Sequence, residues 1–138
     1  MAKEPKTKPV ARDELRSLTD AEWAIMQAVW ELEPCAAGMV QEALQGTRGW
    51  AYSTVKTTMD RMVAKGLLTT HSIRNLQMFT SRVSPSEAKR FELRRLLSRA
   101  FDGALGPMIQ FAVEDEGLSA EEIKTLRGLL DGAKRRKP

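Results

Sequence analysis

The sequence is short of the residues that metal sites and nucleophilic enzymes depend on. It has one cysteine, Cys35, and one histidine, His71. A lone cysteine excludes an internal disulfide, and with one histidine beside it there are too few ligands for a zinc cluster. No apolar run approaches the roughly 18–20 residues that a membrane span needs, so no membrane insertion is expected. The Lys- and Pro-rich start, Met1 to Pro9, has no apolar stretch behind it and does not read as a secretory signal. The cytoplasm is the expected compartment. A Gly-rich phosphate loop, a His placed with a Ser or Cys, and a dense carboxylate pair on an apolar face are all missing. The sequence therefore predicts no enzyme, no catalytic residue, no bound metal and no cofactor.

What is present is an uneven distribution of charge. The chain of 138 residues carries a net charge of +4 and is 42% hydrophobic, enough for one modest domain or a small domain with an appendage. Residues 18–50 hold one base against five acids, and residues 83–133 hold seven bases against nine acids. Between them, residues 51–82 hold Lys56, Arg61, Lys65, Arg74 and Arg82 against Asp60 alone. Basic charge gathered in one segment is the electrostatic footprint of a nucleic-acid binder, although a solvated basic patch has the same composition.

Along the chain, residues 1–16 read as a flexible basic arm carrying Lys3, Lys6, Lys8, Arg12 and Arg16. Thr19 and Glu22 are spaced as a capping box, with Leu18 and Trp23 placed for a hydrophobic staple. The helix they open carries Trp23, Ile25, Met26, Val29 and Trp30 and ends before Pro34. Cys35, just past that end, reads as a small buried hydrophobe rather than a redox switch. A second short helix spans about Ala37 to Leu44.

The third helix, opening near Trp50, is the most informative. At 3.6 residues per turn Ala51, Tyr52, Val55, Met59, Met62 and Val63 form its inner side. Ser53, Thr54, Thr57, Asp60, Arg61 and Ala64 form its outer side, with Lys56 at the flank. Short hydroxyls and basic groups fit closely against base edges and phosphates, because they donate hydrogen bonds without a long reach. Gly66 is the expected stop. Two extended runs, Leu67 to Ile73 and Leu76 to Val83, meet at the turn-prone Arg74-Asn75, and His71 falls on the first. Three helices followed by a two-stranded wing is the winged helix-turn-helix order, in which the third helix enters the major groove.

The remainder is helical and apolar on one side. Ser84 to Glu87 opens a helix with Leu93, Leu96, Leu97, Ala100 and Phe101 as a stripe, interrupted at Gly103, Gly106 and Pro107. A short apolar segment, Met108 to Val113, leads into Glu114-Asp115-Glu116, read as a solvated turn. Ser119 and Glu122 form a second capping box ahead of Ile123, Leu126, Leu129 and Leu130. This is more apolar stripe than so small a bundle hides. A homodimer, with Leu93, Leu97, Phe101, Leu126 and Leu130 packed across a two-fold axis, is the economical way to cover it. The fold class expected is mainly α with a small two-stranded β wing. Its parts are a head over residues 17–83, a helical dimerisation domain over residues 84–131 and a basic tail over residues 132–138.

Three segments in order carry a family resemblance. They are Leu18-Thr19-x-x-Glu22-x-x-Ile25-Met26-x-x-x-Trp30; Ala51-Tyr52-Ser53-Thr54-Val55-Lys56-Thr57 with Arg61-Met62 and Lys65-Gly66-Leu67-Leu68; and Leu118-Ser119-x-Glu121-Glu122-Ile123-x-x-Leu126. Together they resemble the BlaI/MecI family of bacterial transcriptional repressors, which control penicillinase and methicillin-resistance genes. The resemblance implies a homodimeric repressor bound to an inverted-repeat operator in double-stranded DNA. Ser53, Thr54 and Thr57 would read bases, and Lys56, Arg61 and Arg74 would contact the backbone. It further implies relief of repression by proteolysis, at a bond matching Phe111-Ala112, with a membrane metalloprotease sensor or a downstream protease as partner. The chain departs from relatives at three places. Some relatives carry lysine where Ser53 stands, relatives often carry Gly-Arg at the wing turn and an aromatic where Gln77 stands, and the best-known ones have Asn-Phe at the cleaved bond. Copper-responsive relatives have a C-terminal cysteine motif that this sequence lacks, which disfavours copper sensing. A winged-helix regulator whose C-terminal helices enclose a small ligand, and a pure interaction module, remain the alternative classes.

Overall fold

The structure, a computed structural model, describes residues 18–133, so the basic arm and residues 134–138 of the basic tail lie outside the described residues. Helix α1 (Asp20–Leu32) begins at the expected capping box. The Thr19 hydroxyl accepts the Glu22 N–H at 3.0 Å, and the Thr19 N–H donates to Glu22 Oε1 at 3.0 Å. Helix α2 (Ala37–Ala43) is short, and helix α3 (Tyr52–Ala64) follows it. Strands β1 (Leu68–Ile73) and β2 (Leu76–Ser81) pair antiparallel from Leu68↔Ser81 to Ile73↔Leu76. The remaining helices are α4 (Pro85–Phe101), α5 (Leu105–Glu116) and α6 (Ala120–Gly132). The result is mainly α with a two-stranded wing, as the patterning implies.

The hairpin turns on two residues with positive φ, Arg74 at 52° and Asn75 at 69°. That is the sign pattern of a two-residue type I′ turn, whose twist matches the strands it joins. Asn tolerates this conformation and Arg less so, so the tight register accepts a small local cost at Arg74.

One core holds the head together. Ile25, Met26 and Val29 of α1 meet Val40 of α2, Val55, Met59 and Met62 of α3, and Leu67, Leu68 and Phe79 of the hairpin. Phe79 is fully buried, and its backbone exchanges two hydrogen bonds with Cys35: Cys35 N–H to Phe79 O at 3.1 Å and Phe79 N–H to Cys35 O at 2.7 Å. The residues after α1 thus lie against β2 as an isolated third pairing beside the two-stranded wing. Glu33 reinforces that seam, its carboxylate accepting the Ser81 N–H at 2.7 Å. The Trp30 indole N–H donates to Val83 O at 2.8 Å and ties α1 to the end of the wing.

The head does not stop at the wing. Ala88 of α4 is 1% exposed inside this core and Phe91 packs against it, so the first half of α4 belongs with the head although residue 84 opens the expected dimerisation domain. The compact units divide between Arg95 and Leu96. In the second unit, Phe101 and Phe111 stack tilted with centroids 5.9 Å apart, and the Ser119–Glu122 capping box opens α6 as expected. Two details of the expected layout are corrected. Gly106 and Pro107 lie in the first turn of α5 rather than separating two helices, a position where proline's missing N–H costs nothing. Glu114, Asp115 and Glu116 form the last turn of α5, not a loop; the stop is Gly117, with φ 75°.

Another long-range tie in the head joins the start of α1 to the end of α3. Lys65, the C-cap of α3, donates to both carboxylate oxygens of Glu22, at 3.1 and 2.8 Å. Glu22 is only 7% exposed, so it acts at once as cap and as counter-ion. Glu22→Ala should lower the free energy of unfolding by about 2 kcal/mol, combining a lost capping contact with a partly buried lysine left unpaired. Gln27→Ala, on the exposed side of the same helix, should change it by less than about 0.5 kcal/mol. Urea denaturation of the two variants measures both.

Candidate nucleic-acid interface

Helix α3 is amphipathic because its apolar residues recur at helical spacing, and the structure buries Val55, Met59 and Met62 completely. That burial turns Ser53, Thr54, Thr57, Asp60 and Arg61 to solvent. Ser53, Thr54, Thr57, Thr58 and Arg61 line a shallow depression of about 300 Å³ on this outer face. Four of the five are hydroxyl-bearing side chains, and Arg61 supplies a guanidinium at one end. The Thr58 hydroxyl donates to Thr54 O at 2.8 Å, which occupies its proton and leaves Ser53, Thr54 and Thr57 as the exposed hydroxyls.

Two inner-face expectations fail, at Ala51 and Tyr52, which are both exposed. Tyr52 is 51% exposed rather than buried. It is the first residue of α3, and Ala51 before it is the exposed N-cap, so the helix begins beyond the edge of the core. Trp50 does pack against the core, and the Arg48 guanidinium lies over its ring at 5.3 Å.

Lys56 sits at the flank as the periodicity predicts, but its ammonium is engaged. It donates to Asp60 Oδ2 at 2.8 Å, one helical turn on. The i, i+4 spacing is readable in the sequence; the closing of the two side chains on each other belongs to the folded helix.

The wing narrows from a buried base to an exposed tip. Leu68 and Phe79 are buried, whereas His71, Ser72, Ile73, Arg74, Asn75, Leu76 and Gln77 are exposed. Arg74 therefore stands at the tip, flanked by Ile73 at 42% and Leu76 at 59% exposure. This apolar pair was not singled out in the sequence, because a strand alternation does not reveal that both ends of a turn leave the core together. Among the described residues no group of three or more His, Cys, Asp or Glu side chains is gathered for a metal ion. No helix there is long and apolar enough to cross a membrane.

A helix presenting hydroxyls and an arginine to solvent, braced by two other helices and followed by a wing with a basic tip, defines a winged helix-turn-helix DNA-binding head. The sequence profile of a family described as penicillinase repressor matches residues 18–132. The chain belongs to that family, and with it to the DNA-binding transcriptional repressors. It is 28% identical over 120 residues to the penicillinase repressor of Bacillus licheniformis, covering 87% of this chain and 94% of the relative. It is 26% identical over 114 residues to the methicillin resistance regulatory protein MecI of Mammaliicoccus sciuri, covering 83% of this chain and 93% of that one. The solution structure of the DNA-binding domain of the repressor BlaI aligns at a TM-score of 0.47 and 23% identity, over 59% of this chain and 93% of that domain.

Cys35 lies at the base of the wing, fully buried. Burial, and secondarily the nearby Glu33 carboxylate, push its thiol pKa above the ordinary cysteine value. A raised folded-state pKa means that the fold favours the neutral thiol. Its contribution to stability is whole below the unfolded value of about 8.5 and is lost as pH rises from there through the folded value. Unfolding free energy should accordingly decline above about pH 8.5 in the wild type and decline less in Cys35→Ala. Iodoacetamide at pH 8 should alkylate the native chain far more slowly than the urea-unfolded one.

Proposed function

We propose that this chain represses transcription as a homodimer, each head laying α3 in the major groove of one half of an inverted-repeat operator. The observation that carries the reading is the outer face of α3, where Ser53, Thr54 and Thr57 stand exposed beside Arg61. In this reading the three hydroxyls contact base edges, while Lys56, Arg61 and the wing-tip Arg74 serve the phosphates. Two heads are needed because one half-site offers only a few base contacts, and linking them raises the effective concentration of the second.

The C-terminal helices supply the link. Neither α5 nor α6 has a buried residue, and Leu129 and Leu130 are 63% and 71% exposed. Leu93 and Leu126 are exposed as well, and Leu97 and Phe101 are half-buried. Apolar surface of this extent calls for a partner, and a second copy is the partner that two-fold symmetry provides. Residues 84–131 form the dimerisation domain in this reading, with its opening turns shared with the head.

Repression is relieved by proteolysis within α5. The helix has no buried residue, and its last turn places Glu114, Asp115 and Glu116 at the negative end of the helix dipole. A twelve-residue helix with little support is marginal on its own, so it opens readily to a protease. The Phe111–Ala112 bond lies there, with Phe111 57% exposed. A membrane metalloprotease sensor, directly or through a downstream protease, is the partner in this scheme, which places the repressor in the cytoplasm.

Thr54→Ala and Thr57→Ala should each weaken binding to the best duplex selected from a random pool by about 1–3 kcal/mol while leaving the thermal melt unchanged. Unchanged affinity in both variants would refute the assignment of α3. Leu126→Arg combined with Leu130→Arg should give a monomer by sedimentation equilibrium, with a folded head that no longer prefers an inverted repeat over a single half-site. A double variant that stays dimeric would move the interface elsewhere.

A further inference from the structure

The lone acid on the reading face is the feature least expected of a surface that meets DNA. Asp60 projects from the same side of α3 as Ser53, Thr57 and Arg61, and it is exposed. A carboxylate there faces the phosphates of any duplex that enters, and it is repelled. Among the described residues it pairs with Lys56, at 2.8 Å, with side chains 31% and 48% exposed for Lys56 and Asp60 respectively.

Helix stability does not account for this pair. Exposed i, i+4 pairs contribute only a few tenths of a kcal/mol, and the favourable order places the acid before the base. Here the base comes first, which is the weaker of the two orders. The consequence for DNA is larger. Basic groups on the reading helix set non-specific affinity, since every neutralised phosphate releases counter-ions. A lysine already neutralised by an adjacent carboxylate releases almost none, and carrying it to a phosphate drags the carboxylate along.

The geometry points to Asp60 as a specificity-determining residue, which withholds Lys56 from phosphates on random duplex and releases it where a cytosine amino group meets the carboxylate. This rests on the reading of α3 as the DNA-contacting helix. Of the groups on the major-groove floor, the cytosine N4 amino group is a donor with no adjacent acceptor on its own base, and a carboxylate is its natural complement. When that donor satisfies Asp60, Lys56 turns to a neighbouring phosphate. On any other base Asp60 keeps Lys56 and the site carries an unrelieved repulsion. One residue thus rewards the correct sequence and penalises the wrong ones, and discrimination grows without any increase in overall affinity.

The test uses the full chain and a random-sequence duplex across a series of salt concentrations. Asp60→Asn keeps the shape and removes the charge at an exposed position, and a thermal melt confirms the fold. The expected result is about a five- to tenfold gain in random-duplex affinity near 0.1 M salt, with the salt slope steeper by about 0.9. Adding Lys56→Met to that variant should return both to near wild type. Duplexes selected from a random pool by wild type should show a cytosine at one position of the half-site, and those selected by Asp60→Asn should lose it. Unchanged or weaker random-duplex binding by Asp60→Asn, or an intact cytosine preference, overturns the proposal while the DNA-binding reading stands. Wild-type protein with no salt-dependent binding to any duplex overturns both.

Discussion

The burial of Val55, Met59 and Met62 is the constraint on which the rest of the molecule depends. These side chains are fully inside the head, so α3 cannot rotate without exposing them, and its outer face is fixed by what its inner face hides. Ser53, Thr54, Thr57, Asp60 and Arg61 all lie opposite that contact and are exposed. The helix itself is mediocre as an isolated segment, with three threonines, two valines and no side-chain cap at its start. It persists because tertiary packing supports it, which is the usual source of helix stability in small proteins.

Two devices keep that helix at a set height and tilt. At its far end Lys65 is clamped by Glu22, which is itself locked into the capping box of α1. Just beyond, Leu67 and Leu68 enter the core and carry the chain directly into the wing. The wing base is then held by the Cys35–Phe79 backbone exchange and by Glu33 on Ser81. The outer face of α3 and the wing tip are therefore two projections of one packed unit. The C-terminal helices have the opposite character, with exposed leucines and no buried residue in α5 or α6. A packed head followed by lightly supported helices is the contrast on which the proposed release through dimer contacts rests.

What was legible in the sequence was local. Thr19–Glu22 and Ser119–Glu122 announce helix starts because a capping box closes within three residues, and Arg74-Asn75 announces a turn because it separates two alternating runs. The inner face of α3 followed from periodicity in its middle, and failed at Tyr52, where the helix outruns the core. Contacts that depend on how two elements dock left no such trace. The Glu22–Lys65 clamp spans 43 residues, and Trp30 reaches Val83 across 53. The candidate site was legible as a list of residues and not as an arrangement. Ser53, Thr54 and Thr57 were placed correctly on the outside, but the engagement of Lys56 by Asp60 and the joint exposure of Ile73 and Leu76 at the wing tip belong to three dimensions. The acidic end of α5 was misread because three adjacent carboxylates resemble a loop by composition, while the helix runs on to Gly117.

The central claim is that the outer face of α3 is the surface that meets DNA. Amide chemical-shift mapping of the isotopically labelled full chain, titrated with a random-sequence duplex at low salt, tests it most directly. The account predicts that the largest shifts fall on residues 52–61 and on the wing tip around Arg74, with little change along α1 or α6. Shifts confined to other surfaces, with α3 unperturbed at saturation, would contradict it.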